Sequence, residues 1–106
     1  MSDITNIIVL TSLSEGVETA DESDACSTLN LINVWLSENA SGQLADVTGF
    51  AGGGKYMDAF VLAGAFNGIN VEAFVAQLRS LNWVEPEHVQ ILVKREEDDI
   101  FKTMAI

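Results

Sequence analysis

The chain has 106 residues, 48% of them hydrophobic, and a formal net charge of −11 at pH 7. This length predicts one domain, residues 1–106, with a hydrophobic core of its own. The hydrophobic content excludes an acidic disordered tail, and five Lys and Arg against 16 Asp and Glu argue against direct binding to DNA, RNA or anionic lipid.

The first predicted elements are a strand and a helix. Residues 4–13 (ITNIIVLTSL) are apolar, rich in Ile and Val and bounded by polar residues, as in a buried central strand. Thr19 and Glu22 have the spacing of a capping box, with Ser23 as a rival N-cap, and predict the start of a helix. We expect this helix to end near Ser37.

Two further strands are predicted in the middle of the chain. Residues 43–50 and 56–66 flank the glycine-rich segment AGGGK at 51–55, which is typical of a hairpin-like loop. The second of these strands carries large apolar side chains on one side and mainly small ones on the other. The small side chains, which we expect to lie against a helix or another subunit, are Ala59, Val61, Ala63 and Ala65.

The last part of the chain predicts a second helix and two strands. Asn70 is a suitable N-cap for a helix over 71–81, in which apolar residues recur at helical spacing. The only proline prevents that helix from continuing, and residues 89–93 alternate as in a strand. The acidic run 96–99 indicates an exposed turn before a short last strand over 100–106.

The predicted order is therefore β-α-β-β-α-β with an additional C-terminal strand. Two βαβ-like halves around a central hairpin are typical of a ferredoxin-like α+β sandwich, in which both helices pack on one face of an antiparallel sheet. The residues that we expect to share one buried core are Leu29, Ile32, Phe60, Leu62, Phe74 and Leu78.

One segment comes close to a phosphate-binding motif. Residues 49–56 (GFAGGGKY) nearly match GxxxxGK[ST], in which the lysine contacts phosphate and the hydroxyl contacts Mg²⁺. Tyr56 replaces the required Ser or Thr, and a strand rather than a helix is predicted to follow. The pattern therefore favours a flexible hairpin over a phosphate site.

No catalytic or metal site is predicted. His88 is the only histidine, which excludes a site with several histidines, and it follows an exposed-looking Glu-Pro-Glu turn. The only cysteine, Cys26, falls at a predicted core position, although a spatial Ser–His–Asp or Cys–His arrangement stays open. We expect a protein that is not an enzyme and needs no cofactor.

The acidic residues are distributed unevenly. The first 54 residues hold eight acids and no Lys or Arg, whereas the remainder holds eight acids and five cations, beginning with Lys55. Helix-dipole stabilisation explains part of the first cluster, and neither cluster has the spacing of a calcium loop. The carboxylates predicted to form an anionic partner-binding face are Glu15, Glu18, Asp21, Glu22, Asp24, Glu96, Glu97, Asp98 and Asp99. We expect Glu15 and Glu18 to be exposed and dispensable for folding.

These features predict a non-enzymatic acidic protein that inhibits a basic, nucleic-acid-handling partner by electrostatic docking or DNA mimicry. Phage-type anti-CRISPR and anti-restriction proteins are of this kind, as are immunity proteins against nuclease toxins. The alternatives are a small dimeric ferredoxin-like enzyme or ligand-binding protein with a pocket between sheet and helices, and a subunit whose acidity only keeps it soluble.

The compartment follows from simple sequence features. A single cysteine cannot form an internal disulfide and fits a reducing cytoplasm. The chain lacks a cationic stretch at its start, and no apolar run reaches the ~18 residues of a membrane span. We expect the protein to be cytoplasmic and to make no contact with a membrane. A homodimer is compatible with the sequence.

Overall fold

The computed structural model describes residues 4–13, 15, 27–50, 54 and 58–106. Two short 3₁₀ turns cover Thr48–Phe50 and Pro86–His88. The strands and helices are β1 (Ile4–Ser12), α1 (Ser27–Asn39), β2 (Ala45–Asp46), β3 (Ala59–Asn67), α2 (Val71–Arg79), β4 (Gln90–Arg95) and β5 (Lys102–Ala105).

The five strands form one antiparallel sheet in the order β2-β3-β1-β4-β5. The chain order and the strand order confirm the predicted ferredoxin-like α+β arrangement, with β5 as the additional C-terminal strand. Both described helices pack on the same face of this sheet, because buried residues from each helix share one cluster with alternate residues of the strands. None of the described helices is long and apolar enough to span a membrane.

Strand β1 is central because it pairs along its length with β3 on one side and β4 on the other. Its side chains alternate, as the two-residue repeat of a strand requires. The helix-facing residues Thr5, Ile7, Val9 and Thr11 are all buried. The apolar segment 4–13 therefore forms the buried central strand that its sequence predicts.

The core lies between this sheet and the two helices. Ile32 from α1 and Phe74 and Leu78 from α2 are fully buried, as is Leu62 from β3. Leu29 and Phe60 are half-buried and pack against the same cluster. The six predicted core residues thus meet in one core, with two of them at its margin.

Helix α2 begins where the sequence predicts. The Asn70 carboxamide oxygen accepts a hydrogen bond from the Ala73 backbone N–H at 3.0 Å, which caps the first turn. The helix ends two residues earlier than predicted, and the Ser80 N–H closes its last turn. The Trp83 indole then donates to the Leu78 carbonyl at 2.7 Å, which also accepts from the Leu81 backbone N–H at 3.2 Å, so this carbonyl at the helix end has two donors.

Strand β2 is much shorter than predicted, because Asp46 turns the chain. Its carboxylate accepts hydrogen bonds from the Thr48 backbone N–H at 3.0 Å and the Thr48 hydroxyl at 2.6 Å. The Thr48 hydroxyl oxygen also accepts from the Val61 N–H at 2.8 Å. A side-chain turn of this kind competes with strand pairing, so the predicted strand 43–50 keeps only two paired residues.

The second face of the sheet, which we call the open face, carries the side chains that alternate with the core residues. The register aligns Ile8 with Ala63 and Leu92, and Leu10 with Val61. These five apolar side chains are half-buried, and they are absent from the core cluster beneath the helices. The predicted small-residue face of β3 therefore lies on the open face rather than against a described helix.

Candidate functional site

Polar side chains from several segments gather where β1 ends. Ser12 lies opposite Ala59, and Leu10 lies opposite Gln90, so the residues just before β3 and β4 lie beside the end of β1. Glu15 joins them through hydrogen bonds to residues 84 and 85. We call this group the Glu87 end, and its members are Ser12, Glu15, Asp58, Glu85, Glu87 and His88.

Glu15 is buried rather than exposed, so the expectation that it lies on the surface is wrong. Only 5% of the surface of Glu15 is exposed. One carboxylate oxygen accepts from the Val84 backbone N–H at 3.1 Å, and the other accepts from the Glu85 N–H at 2.9 Å. A carboxylate can be buried when its oxygens are hydrogen-bonded in this way. Glu15 therefore ties the segment before β4 to the segment after β1.

The carboxylate of Glu85 lies between two other side chains. The Ser12 hydroxyl donates to one of its oxygens at 2.5 Å, and the His88 Nε2 lies 3.9 Å from the other. The 3₁₀ turn brings His88 close, since the His88 backbone N–H donates to the Glu85 carbonyl at 3.0 Å. The two oxygens of Glu85 thus face different partners.

This order of contacts differs from that of a catalytic triad. In a triad the histidine accepts the proton of the serine hydroxyl. Here the Ser12 hydroxyl donates to a carboxylate, and His88 lies on the far side of that carboxylate. His88 is therefore not placed to activate Ser12.

The same turn could hold a cation. Glu85, Glu87 and His88 each offer one ligand atom, and these three atoms lie within 4.8 Å of one another. Two carboxylates and an imidazole are ligands that divalent transition metals accept. Glu87 and His88 are exposed, so water would complete the coordination.

A groove of about 370 Å³ lies beside the Glu87 end. Its wall combines the apolar side chains of Leu10 and Ala59 with the polar groups of Asp58 and His88. A long side chain with an aliphatic stem and a charged head fits such a wall, because lysine and arginine bury their stems and keep their heads near polar groups.

The second predicted acidic cluster forms the turn between β4 and β5. Asp98 accepts from the Arg95 backbone N–H at 3.1 Å and lies 3.6 Å from the Lys102 ammonium. The hydrogen bond from Arg95 is the main cause that lowers the pKa of Asp98, and Lys102 adds to it. Glu96 accepts from the Ile4 backbone N–H at 3.2 Å. Asp98 therefore stabilises the turn and Glu96 ties it to β1, whereas Glu97 and Asp99 are exposed.

Three cations lie in the same stretch of sequence as the carboxylates of this turn. Residues 94–102 contain four acids and three cations, which leaves a net charge of −1. The turn also lies far from Glu15, since Glu96 contacts the first residue of β1 and Glu15 follows its last residue. At about 3.4 Å per residue, the length of β1 separates them by roughly 27 Å. Among the described residues, Glu15 and the acidic turn therefore lie at opposite ends of β1.

The remaining predicted site residues fall outside the part of the chain that the structure describes. They are Glu18, Asp21, Glu22 and Asp24, and the same holds for Cys26 and Lys55. Sequence reasoning missed Asp58, Glu85 and Glu87 as site residues. Glu85 and Glu87 come just before the predicted strand 89–93, and Asp58 lies near the start of the predicted strand 56–66. Only the strand register shows that these two strand starts meet at the end of β1.

No protein-family model, curated protein or solved structure matches the chain.

Proposed function

We propose that this protein is a non-enzymatic acidic binding protein that docks on a basic, nucleic-acid-handling partner and inhibits it. One observation carries the proposal: the Glu87 end assembles four carboxylates and no Lys or Arg among the described residues. Of the four described cations, three lie at the opposite end, in or beside the β4–β5 turn. The fourth, Arg79, lies at the β5 edge, where its guanidinium donates to the Ala105 carbonyl.

Segregated charge supports docking in a defined orientation. A basic surface attracts the Glu87 end and repels the cations near the β4–β5 turn, so the protein is turned before contact. Steering of this kind raises association rates to about 10⁸–10⁹ M⁻¹s⁻¹ at low ionic strength. The net charge of −11 strengthens the attraction at every orientation.

The groove beside this end supplies a place for a specific contact. An arginine or lysine of the partner would lay its stem on Leu10 and Ala59 and bring its head to Asp58. The exposed carboxylate of Glu87 adds charge at the rim. The buried bond network of Glu15 keeps the adjacent backbone in place, which lowers the entropy lost on binding.

The class of partner is inferred from the usual role of basic protein surfaces, which is to bind the phosphates of nucleic acids. Proteins that bind DNA or RNA neutralise phosphates with clustered lysines and arginines, and an acidic protein competes for the same clusters. A cytoplasmic nuclease, restriction enzyme or CRISPR complex has such a surface. The proposed role is therefore phage-type anti-CRISPR or anti-restriction activity, or immunity to a nuclease toxin.

The first experiment identifies the partner. The immobilised protein is exposed to a lysate of its native host, and bound proteins are eluted with rising salt and identified. The eluted partner is expected to be basic and to lose its binding to a short DNA or RNA duplex when this protein is added. A partner that is acidic, or that keeps its nucleic acid, contradicts the proposal.

The second experiment locates the docking surface. Association with the purified partner is measured at several salt concentrations for wild type, Asp58→Asn/Glu87→Gln and the control Glu38→Gln/Glu97→Gln. Each double variant removes two exposed carboxylates, so the net charge changes equally. We expect the first variant to slow association by about tenfold at low salt and to flatten its salt dependence, with a much smaller change in the control. Equal losses in both variants would mean that only total charge matters.

A further inference from the structure

Most of the described cations line one groove on this acidic protein. The groove runs between α2 and the β4–β5 edge of the sheet and consists of two adjoining cavities of about 340 and 150 Å³. Arg79 and Arg95 line the larger cavity, and Arg95 and Lys102 line the smaller one. Arg95 therefore stands where the two cavities meet.

The wall beneath these cations is apolar. Val71 and Val75 of α2 and Met104 of β5 line the larger cavity, and Val71 and Met104 continue into the smaller one. Met104 is half-buried against the core, whereas Val71 and Val75 belong to the core itself. An apolar wall with a few charged groups at its rim is the common composition of a small-molecule site, and the larger cavity lies within the usual size range.

The carboxylates of the groove do not neutralise it fully. Asp98 is already engaged by the Arg95 backbone N–H and the Lys102 ammonium. Glu72 is exposed at the first turn of α2 and balances one cation. Arg79 uses one guanidinium nitrogen on the Ala105 carbonyl at 3.1 Å and keeps other donors. The charge of Arg95 also acts on Asp98, but its guanidinium forms no hydrogen bond or ion pair with another described residue, so its donors can face a ligand.

We propose that this groove binds a small amphipathic anion, with its carboxylate or sulfonate on Arg95 and its apolar body along Val71, Val75 and Met104. The cations of the groove favour a negatively charged ligand. The same anion would be repelled from the rest of the protein surface, because the net charge of the protein is −11. The apolar wall selects a ligand with a hydrocarbon or aromatic body over a simple inorganic ion. The site is independent of the proposed docking at the Glu87 end.

The test uses the fluorescent sulfonate 1-anilinonaphthalene-8-sulfonate, with octanoate and acetate as competitors. Wild type is expected to bind the probe saturably, and octanoate is expected to displace it at far lower concentration than acetate. Arg95→Gln should weaken probe affinity by about tenfold, since a hydrogen-bonded charge pair is lost. Absence of saturable binding, or equal displacement by both competitors, overturns the proposal.

Lys94→Gln is the matched control. Lys94 is the neighbouring residue on the same strand, and its replacement removes the same charge. The register opposite Asn6 places Lys94 on the open face of the sheet, away from the groove. Lys94→Gln should bind the probe as wild type does. A loss of probe binding in Lys94→Gln instead of in Arg95→Gln would place the probe on the open face and refute the site.

A second measurement needs no variant. Octanoate should shift the Met104 methyl resonance of the unmodified protein, and an unchanged resonance would refute the site.

Discussion

Replacing Glu15 by glutamine tests whether its buried carboxylate holds the fold together. The carboxylate accepts one backbone N–H on each oxygen, from Val84 and Glu85. Glutamine keeps one oxygen but puts an NH₂ group where the other oxygen stood. That group faces a backbone N–H, so two donors oppose each other and one hydrogen bond is lost.

The size of the effect follows from the kind of bond that is lost. A hydrogen bond to a charged group contributes roughly 1.5–3 kcal/mol, and burial at 5% exposure prevents water from replacing it fully. We therefore expect the free energy of unfolding to fall by about 1.5–3 kcal/mol. With a urea m-value of about 1.5 kcal/mol/M, the unfolding midpoint should fall by about 1–2 M.

Urea unfolding followed by circular dichroism measures this shift, and Glu87→Gln is the control. Glu87→Gln removes the same charge as Glu15→Gln. Because Glu87 is exposed, its substitution should alter the free energy of unfolding by less than about 0.5 kcal/mol. Equal midpoints for Glu15→Gln and Glu87→Gln would refute the structural role of Glu15.

Three further outcomes are expected. Gly64→Ala should lower the free energy of unfolding by about 1–3 kcal/mol in the same urea assay, because its Cβ would lie 3.1 Å from the Gln43 carbonyl oxygen and the Phe66 ring. Folding lowers the pKa of Asp98 below its usual value of 3.8, so its contribution to stability is present above pH 3.8 and is lost as the pH falls through the lowered pKa. Asp98→Asn should therefore remove this part of the dependence of stability on acid pH. Acid unfolding curves that run parallel for wild type and Asp98→Asn would contradict this prediction. Self-association through the open face should appear in sedimentation at high micromolar concentration and disappear in Ile8→Lys; a strictly monomeric wild type would exclude it.

Local sequence patterns predicted the elements whose stability depends on local features. The apolar run that forms β1 and the Asn70 cap of α2 both hold in the structure. Strand β2 could not be predicted correctly, because the Asp46–Thr48 turn that shortens it is stabilised in part by the Val61 N–H from a neighbouring strand. The competing side-chain bond is visible only once β3 is in place.

The site was harder to predict than the fold, because its groups meet through long-range register. The two partners of Glu15 lie about 70 residues away in the chain, so its acidity alone indicated an exposed residue. Arg79, Arg95 and Lys102 are scattered in sequence and gave no sign of a basic patch. Pairing of β4 with β5 beside α2 brings them to one groove.

The central position of β1 has a consequence for how the chain folds. Thr5 pairs with Arg95, which follows it by 90 residues, so one edge of the central strand stays unpaired until almost the whole chain has been synthesised. Contacts this distant in sequence are typical of slow-folding topologies. An apolar strand with a free edge also pairs readily with other chains. During synthesis β1 is therefore the segment most in need of a chaperone, and overproduction should favour aggregates that grow from its unpaired edge.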